Sequence, residues 1–182
     1  ILEPDGLGII PWYKQFRGLP SEAGIYEWCQ PADADEATAA DERFEMLNYA
    51  VDTLKAHPNV SVYLDGTHSA SSAPGMRLIG SFRLVQTGGG FFVNVSNYRL
   101  AEHLVKYSTW ISKCIWFATD PGSWGNGHFD WCANQYYPAN PNDFSTWTLT
   151  DEWYTNNVES QTWVPYPVDA GLMHFVIDTS RN

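Results

Sequence analysis

The sequence predicts an α/β domain built on parallel strands, and three observations carry that reading. Four short apolar runs, at residues 1–2, 60–64, 91–95 and 175–177, each end in polar or small residues. The runs are continuous in hydrophobicity rather than alternating, the pattern of strands covered on both faces. Between them lie stretches with apolar residues at helical spacing. Strand–helix–strand repetition implies βαβ units with right-handed crossovers.

The elements follow in chain order. Ile1 and Leu2 form a strand that enters a turn at Glu3-Pro4-Asp5. Residues 36–56 predict a helix, because Phe44, Leu47, Val51 and Leu54 repeat at helical spacing. Acidic Asp41 and Glu42 sit early and Lys55 and His57 late, which suits the helix dipole, and Pro58 stops the helix. The second strand delivers Asp65-Gly66-Thr67-His68 at its end. The segment from Met76 to Val85 has no clear helical period, although a helix is expected there. The third strand delivers Asn94-Val95-Ser96-Asn97-Tyr98, and a second helix is predicted over 100–118 from Leu104, Tyr107, Ile111 and Ile115. Residues 119–173 read as a long aromatic loop carrying Trp124, Trp131, Trp147, Trp153 and Trp163. It is either a surface loop packed by its own aromatics or a substrate-lining loop, since long irregular connections are usually functional. The last strand ends in Asp178-Thr179-Ser180-Arg181-Asn182. Both termini read as mid-strand, which predicts a piece of a longer chain.

Composition narrows the function. With 10 Lys+Arg against 21 Asp+Glu, the formal charge of −11 argues against nucleic acid or an anionic membrane as partner. No apolar run approaches the ~18 residues of a membrane span, so a soluble chain is expected. A length of 182 residues suits one domain over 1–182. Nine tryptophans exceed the ordinary need of one core. Aromatic faces left in a groove suit sugar rings, so carbohydrate is the first substrate class to consider. The three cysteines form no CxxC pair, so no structural zinc site is predicted. Cys114 and Cys132 bracket a Gly/Trp/Pro-rich loop; a bridge between them is expected, with three buried thiols as the alternative, and Cys29 is left over.

In parallel α/β architectures the chemistry sits beyond the C-terminal strand ends. Here those ends carry carboxylates, amides and an imidazole. Glycoside hydrolysis needs such a rim, because carboxyl groups protonate the leaving oxygen and activate water while amides and imidazole hold hydroxyls. Asp65 and His68 lie three apart with no third ligand evident, so His68 reads as a sugar contact rather than a metal ligand. No metal or cofactor is expected.

Four motifs resemble glycoside hydrolase family 6. They are Ile-Leu-Glu-Pro-Asp at 1–5, Tyr-Leu-Asp-Gly-Thr-His-Ser-Ala at 63–70, Phe-Val-Asn-Val-Ser-Asn-Tyr-Arg at 92–99 and Phe-Val-Ile-Asp-Thr-Ser-Arg-Asn at 175–182. The family contains endoglucanases and cellobiohydrolases that cleave cellulose with inversion on a distorted seven-stranded (β/α) barrel. The resemblance implies about half of such a barrel, and secretion of the parent protein. It implies that Asp5 is the active-site carboxylate supporting the general acid, and that His68 and Asn97 contact glucosyl units. Asp65, Asn94 and Asp178 are implied as supporting members of the same substrate-binding rim. The partner is then a β-glucan or a cello-oligosaccharide.

The departures also carry expectations. The family pattern places the general acid before residue 1 and the candidate base after residue 182. The chain alone is therefore expected to be inactive and its parent to be a cellulase. Half a barrel also leaves two sheet edges open. The family continues His-Ser-Ala-Trp where this chain has Ser71. Residues 71–88 match nothing familiar, and a GC-rich back-translation of 74–85 shifted by one base gives an amphipathic helix of the family kind. This points to a compensated reading-frame slip, with ordinary divergence as the alternative.

A non-catalytic carbohydrate-binding module shares the composition. Such modules are mostly β-sandwiches, which the two helical stretches disfavour. No GxGxxG, P-loop or GxSxG motif supports nucleotide or serine-hydrolase chemistry. Asn-x-Ser matches at Asn59 and Asn94 read as chance.

Overall fold

The computed structural model describes residues 32–35, 37–69, 89–140, 143–161, 166–167 and 171–180. The expected first strand, Cys29, Trp163 and the segment 71–88 lie outside the described residues.

Three strands, β1 (Tyr63–Asp65), β2 (Gly90–Val93) and β3 (Phe175–Ile177), form a parallel sheet in the order β1-β2-β3. Leu64 pairs with Phe91 and Asp65 with Phe92, while Phe92 pairs with Val176 and Val93 with Ile177. β2 is buried along its whole length, as its unbroken apolar run requires, and Phe91 packs on Phe175 across the sheet. The strand is shorter than the predicted 91–95, because the chain turns into the left-handed region at Asn94.

Helix α1 (Ala39–Lys55) occupies most of the predicted 36–56. It starts later because Asp35 forms a turn: its carboxylate accepts from the Ala37 N–H at 2.7 Å and its carbonyl from the Ala39 N–H at 2.9 Å. Leu47 and Val51 enter the core, with Phe44 and Leu54 packed beside them. Helix α2 (Ala101–Thr119) matches the predicted 100–118 within a residue. Its predicted face of Leu104, Tyr107, Ile111 and Ile115 is buried, but so are Trp110, Cys114 and Phe117. The helix is covered on two sides: by the sheet, and by the chain that follows it. No helix among the described residues is long and apolar enough to cross a membrane.

That following chain, read from sequence as irregular, contains helix α3 (Thr148–Tyr154). A 3₁₀ turn at Phe144–Trp147 leads into it and a π-helical turn at Thr155–Glu159 leads out. The start is fixed by Asp143, whose carboxylate accepts from the Ser145 N–H at 3.0 Å. α3 runs alongside α2 in the same direction. Asp151 pairs with Lys106 and accepts from the Trp110 indole at 2.7 Å, and further along Glu159 pairs with Lys113. Trp147 is buried against Trp110, and Trp153 and Trp124 meet Phe117 edge-on. The four described tryptophans of this stretch thus pack on α2 or on one another. Cys114 and Cys132 form a disulfide, with Cα atoms 5.7 Å apart, that ties α2 to this layer.

Candidate active site

The register of the sheet sets the site. Just past the paired residues, Thr67, Asn94 and Asp178 stand side by side at the C-terminal edge. The hydrogen-bond ladder reaches them. Gly66 N–H donates to the Phe92 carbonyl at 2.7 Å, Asn94 N–H to Thr67 at 2.7 Å, and Asp178 N–H to Val93 at 3.0 Å. Gly66 is required here, since a Cβ would lie 2.8 Å from Phe91 Cδ2 and 3.0 Å from the Phe92 carbonyl oxygen. A side chain at 66 would push the end of β1 away from β2.

Asn94 holds the edge together. It is fully buried and sits at φ 73°. Its Nδ2 donates to the Asp178 carbonyl at 2.9 Å, and its Oδ1 accepts from the Arg99 N–H at 3.0 Å. Its own carbonyl accepts from the Asn97 N–H at 3.0 Å. One amide side chain therefore anchors β3 to β2 and wraps the 94–99 loop around itself. Burial and bonding make Asn94 a positioning residue beneath the rim.

Asp65 is also buried, and its Oδ1 accepts from the Thr67 N–H at 2.7 Å. That bond bends the chain at the end of β1, where Thr67 takes φ 58°. Ser96 takes φ 63° in the neighbouring loop. Three non-glycine residues in the left-handed region thus cluster at one sheet edge, and Thr67, being β-branched, is the most strained of them. Such conformations cost about 1–3 kcal/mol each and gather at functional sites.

Tyr107 supports the same edge from below. Its phenol is buried and donates to the Gly66 carbonyl at 3.0 Å. Burial pushes the phenol well above its ordinary range, so it stays a neutral donor.

His68 and Asn97 follow in the same two turns and are half-buried. The Asn97 amide donates to the Val95 carbonyl at 3.1 Å, which fixes its plane. Asp178 is partly exposed, and its Oδ1 accepts from the Ser180 N–H at 2.9 Å. The structure therefore brings Asp65, His68, Asn94, Asn97 and Asp178 to the ends of three neighbouring strands. Asp5 lies outside the described residues. Among the described residues no group of three or more His, Cys, Asp or Glu side chains is placed to hold a metal ion. Sequence reasoning missed Gly66 and Thr67 as shapers of the turn. It took Tyr107 only for a core position, because helical spacing cannot show what the phenol meets.

A parallel α/β domain whose strand ends carry carboxyl, amide and imidazole groups on one edge is of the class that binds its ligands beyond those strand ends. The model of the family described as glycosyl hydrolases family 6 matches residues 1–182, the whole chain. The chain belongs to that family of glycoside hydrolases, which acts on cellulose-type polysaccharides. No curated protein and no solved structure matches it in the companion comparisons.

Proposed function

We propose that this chain is part of an enzyme that hydrolyses β-1,4-glucosidic bonds of cellulose or a related β-glucan with inversion of configuration. The observation that carries the reading is the locked edge. Asn94 ties the ends of β2 and β3, Thr67 accepts from Asn94, and His68 and Asn97 stand on that base. The rim is rigid before substrate arrives, which is what orienting a sugar across two carboxyl groups demands.

In this reading Asp5 is the active-site carboxylate of the rim. His68 and Asn97 hold hydroxyls of the glucosyl units beside the cleaved bond. Asp65, Asn94 and Asp178 hold the turns that carry them. An inverting reaction sets its acid and base about 6.5–9.5 Å apart so that water fits between base and sugar. The remaining carboxyl functions come from segments outside residues 1–182, and the same segments complete a distorted seven-stranded barrel. The parent enzyme is secreted, since its polymer substrate lies outside the cell.

The test is a reducing-sugar assay on carboxymethyl cellulose with residues 1–182 alone and with the flanking segments restored. Turnover is expected only in the restored chain, with the α-anomer as first product by NMR. Turnover by residues 1–182 alone overturns the placement of the missing carboxyls, and a β-anomeric first product overturns inversion.

A further inference from the structure

A second aromatic surface lies away from the rim. α2 fixes its position. The Tyr107 phenol meets the Gly66 carbonyl at the C-terminal end of β1, whereas Ser112 Oγ donates at 2.7 Å to the Met173 carbonyl, just before β3 begins. The helix thus descends from the rim to the opposite edge of the sheet. Its last residue, Thr119, lies about 10 Å beyond Ser112 at the helical rise. The chain then folds against that end: Gly127 N–H donates to the Ala118 carbonyl at 2.8 Å and Asn126 Nδ2 to the Asp120 carbonyl at 2.9 Å.

Three rings gather there. Trp124 is 43% exposed, and its ring centre lies 5.6 Å from that of Trp131, the planes inclined by 32°. The His128 imidazole stacks on Trp131 at 3.7 Å and 7°. Trp124 is held from beneath. Phe117 meets it edge-on at 4.9 Å, and its Nε1 donates to the Asn157 carbonyl at 2.8 Å. Gly125 lets the turn press against Phe117, where a Cβ would fall 2.0 Å from the ring. The disulfide of Cys132 to Cys114 anchors the far end of the segment. The indole is therefore oriented before any ligand binds, so little ordering cost remains for binding. Exposed Asn126, His128 and Asp130 surround it with hydrogen-bonding groups.

We infer that the surface of Trp124, Trp131 and His128 is a second binding site for a neutral glucan chain, on the side of the domain opposite the strand-end rim. The inference rests on the glucan reading of the rim. An exposed indole face accepts the C–H face of a pyranose ring, and the surrounding amide, imidazole and carboxylate groups suit its hydroxyls. The net charge of −11 disfavours anionic polymers and is indifferent to a neutral one. A site so far from the rim holds polymer without occupying the site of cleavage, and thereby raises its local concentration there.

The experiment is native affinity electrophoresis of residues 1–182 in gels containing hydroxyethyl cellulose. The unmodified chain is compared with Trp124→Ala, His128→Ala and the rim double variant His68→Ala/Asn97→Ala. The expected result is that Trp124→Ala raises the apparent dissociation constant at least fivefold and His128→Ala at least twofold, while the rim variant keeps part of its retardation. Circular dichroism checks that Trp124→Ala is folded. Should it not be, His128→Ala decides, since that side chain is about half exposed (49%). If both variants are retarded like the unmodified chain while the rim variant is not retarded at all, the second site is overturned and the rim reading stands. If the unmodified chain is not retarded, both readings fall.

Discussion

Asn94→Ala isolates the device that holds the rim. The substitution leaves the Arg99 N–H and the Asp178 carbonyl without the partners that now lie at 3.0 and 2.9 Å. Each orphaned group costs about 1–2 kcal/mol at a partly buried site. Alanine at φ 73° adds about 1 kcal/mol, because its Cβ is disfavoured in the left-handed region where asparagine is tolerated. The expected loss is therefore about 3–5 kcal/mol. Asn94→Gly removes the backbone part and keeps the rest, so it should lie about 1 kcal/mol above the alanine variant. The assay is equilibrium unfolding in urea for all three proteins. Amide hydrogen exchange at Arg99 should accelerate in both variants. A loss under 1 kcal/mol for Asn94→Ala, or unchanged exchange at Arg99, would refute the idea that this side chain ties the strand ends.

Other consequences are as specific. Gly66→Ala must displace either Phe91 or the β2 backbone, and should destabilise by about 1–3 kcal/mol in the same unfolding assay. Replacing Cys114 and Cys132 by alanine opens a loop spanning 18 positions, which is worth about 3 kcal/mol in chain entropy and should lower the thermal midpoint by roughly 6–12 °C. Tyr107 is protonated more tightly folded than unfolded, because burial raises its pKa. Its stabilisation is therefore intact below the ordinary tyrosine value of about 10 and is lost as pH rises above it. Urea unfolding across that range should show a steeper decline for the unmodified chain than for Tyr107→Phe, and equal slopes would contradict the burial of a neutral phenol. Lys106→Met leaves Asp151 with the Trp110 indole as partner and should cost under 1 kcal/mol, as expected for a half-exposed pair.

The parts of the fold legible in the sequence are those fixed by local repetition. Phe44, Leu47, Val51 and Leu54 set α1, and Leu104, Tyr107, Ile111 and Ile115 set α2, so both helices were placed to within a few residues. The continuous runs around Leu64, Phe92 and Val176 implied parallel strands, and the register bears this out. α3 was not legible. Thr148 and Thr150 are poor helix formers, and the helix depends on the preceding 3₁₀ turn that Asp143 caps and on Asp151 reaching Lys106 and Trp110, more than 40 positions earlier in the chain. The second buried side of α2 was hidden for the same reason, because α3 covers it. The spacing of Cys114 and Cys132 suggested a bridge without deciding it; the geometry pairs them. At the site, the strand-end residues could be read from motif and pattern. The family resemblance also separated His68 and Asn97 from supporting Asp65, Asn94 and Asp178; what no pattern showed is that Asn94 and Asp65 are buried while His68 and Asn97 are more open. The left-handed turn at Thr67 had no signal, because threonine is a residue that rarely adopts it.

The central claim is that adjoining strand ends grip a glucan, and a titration of ¹⁵N-labelled protein with cellohexaose tests it most directly. The backbone amides of residues 66–69 and 94–97 should shift progressively and saturate together, with the His68 imidazole resonances moving in step. If those amides stay in place at a large excess of cellohexaose while the protein remains folded, the rim does not bind glucan and the account is contradicted.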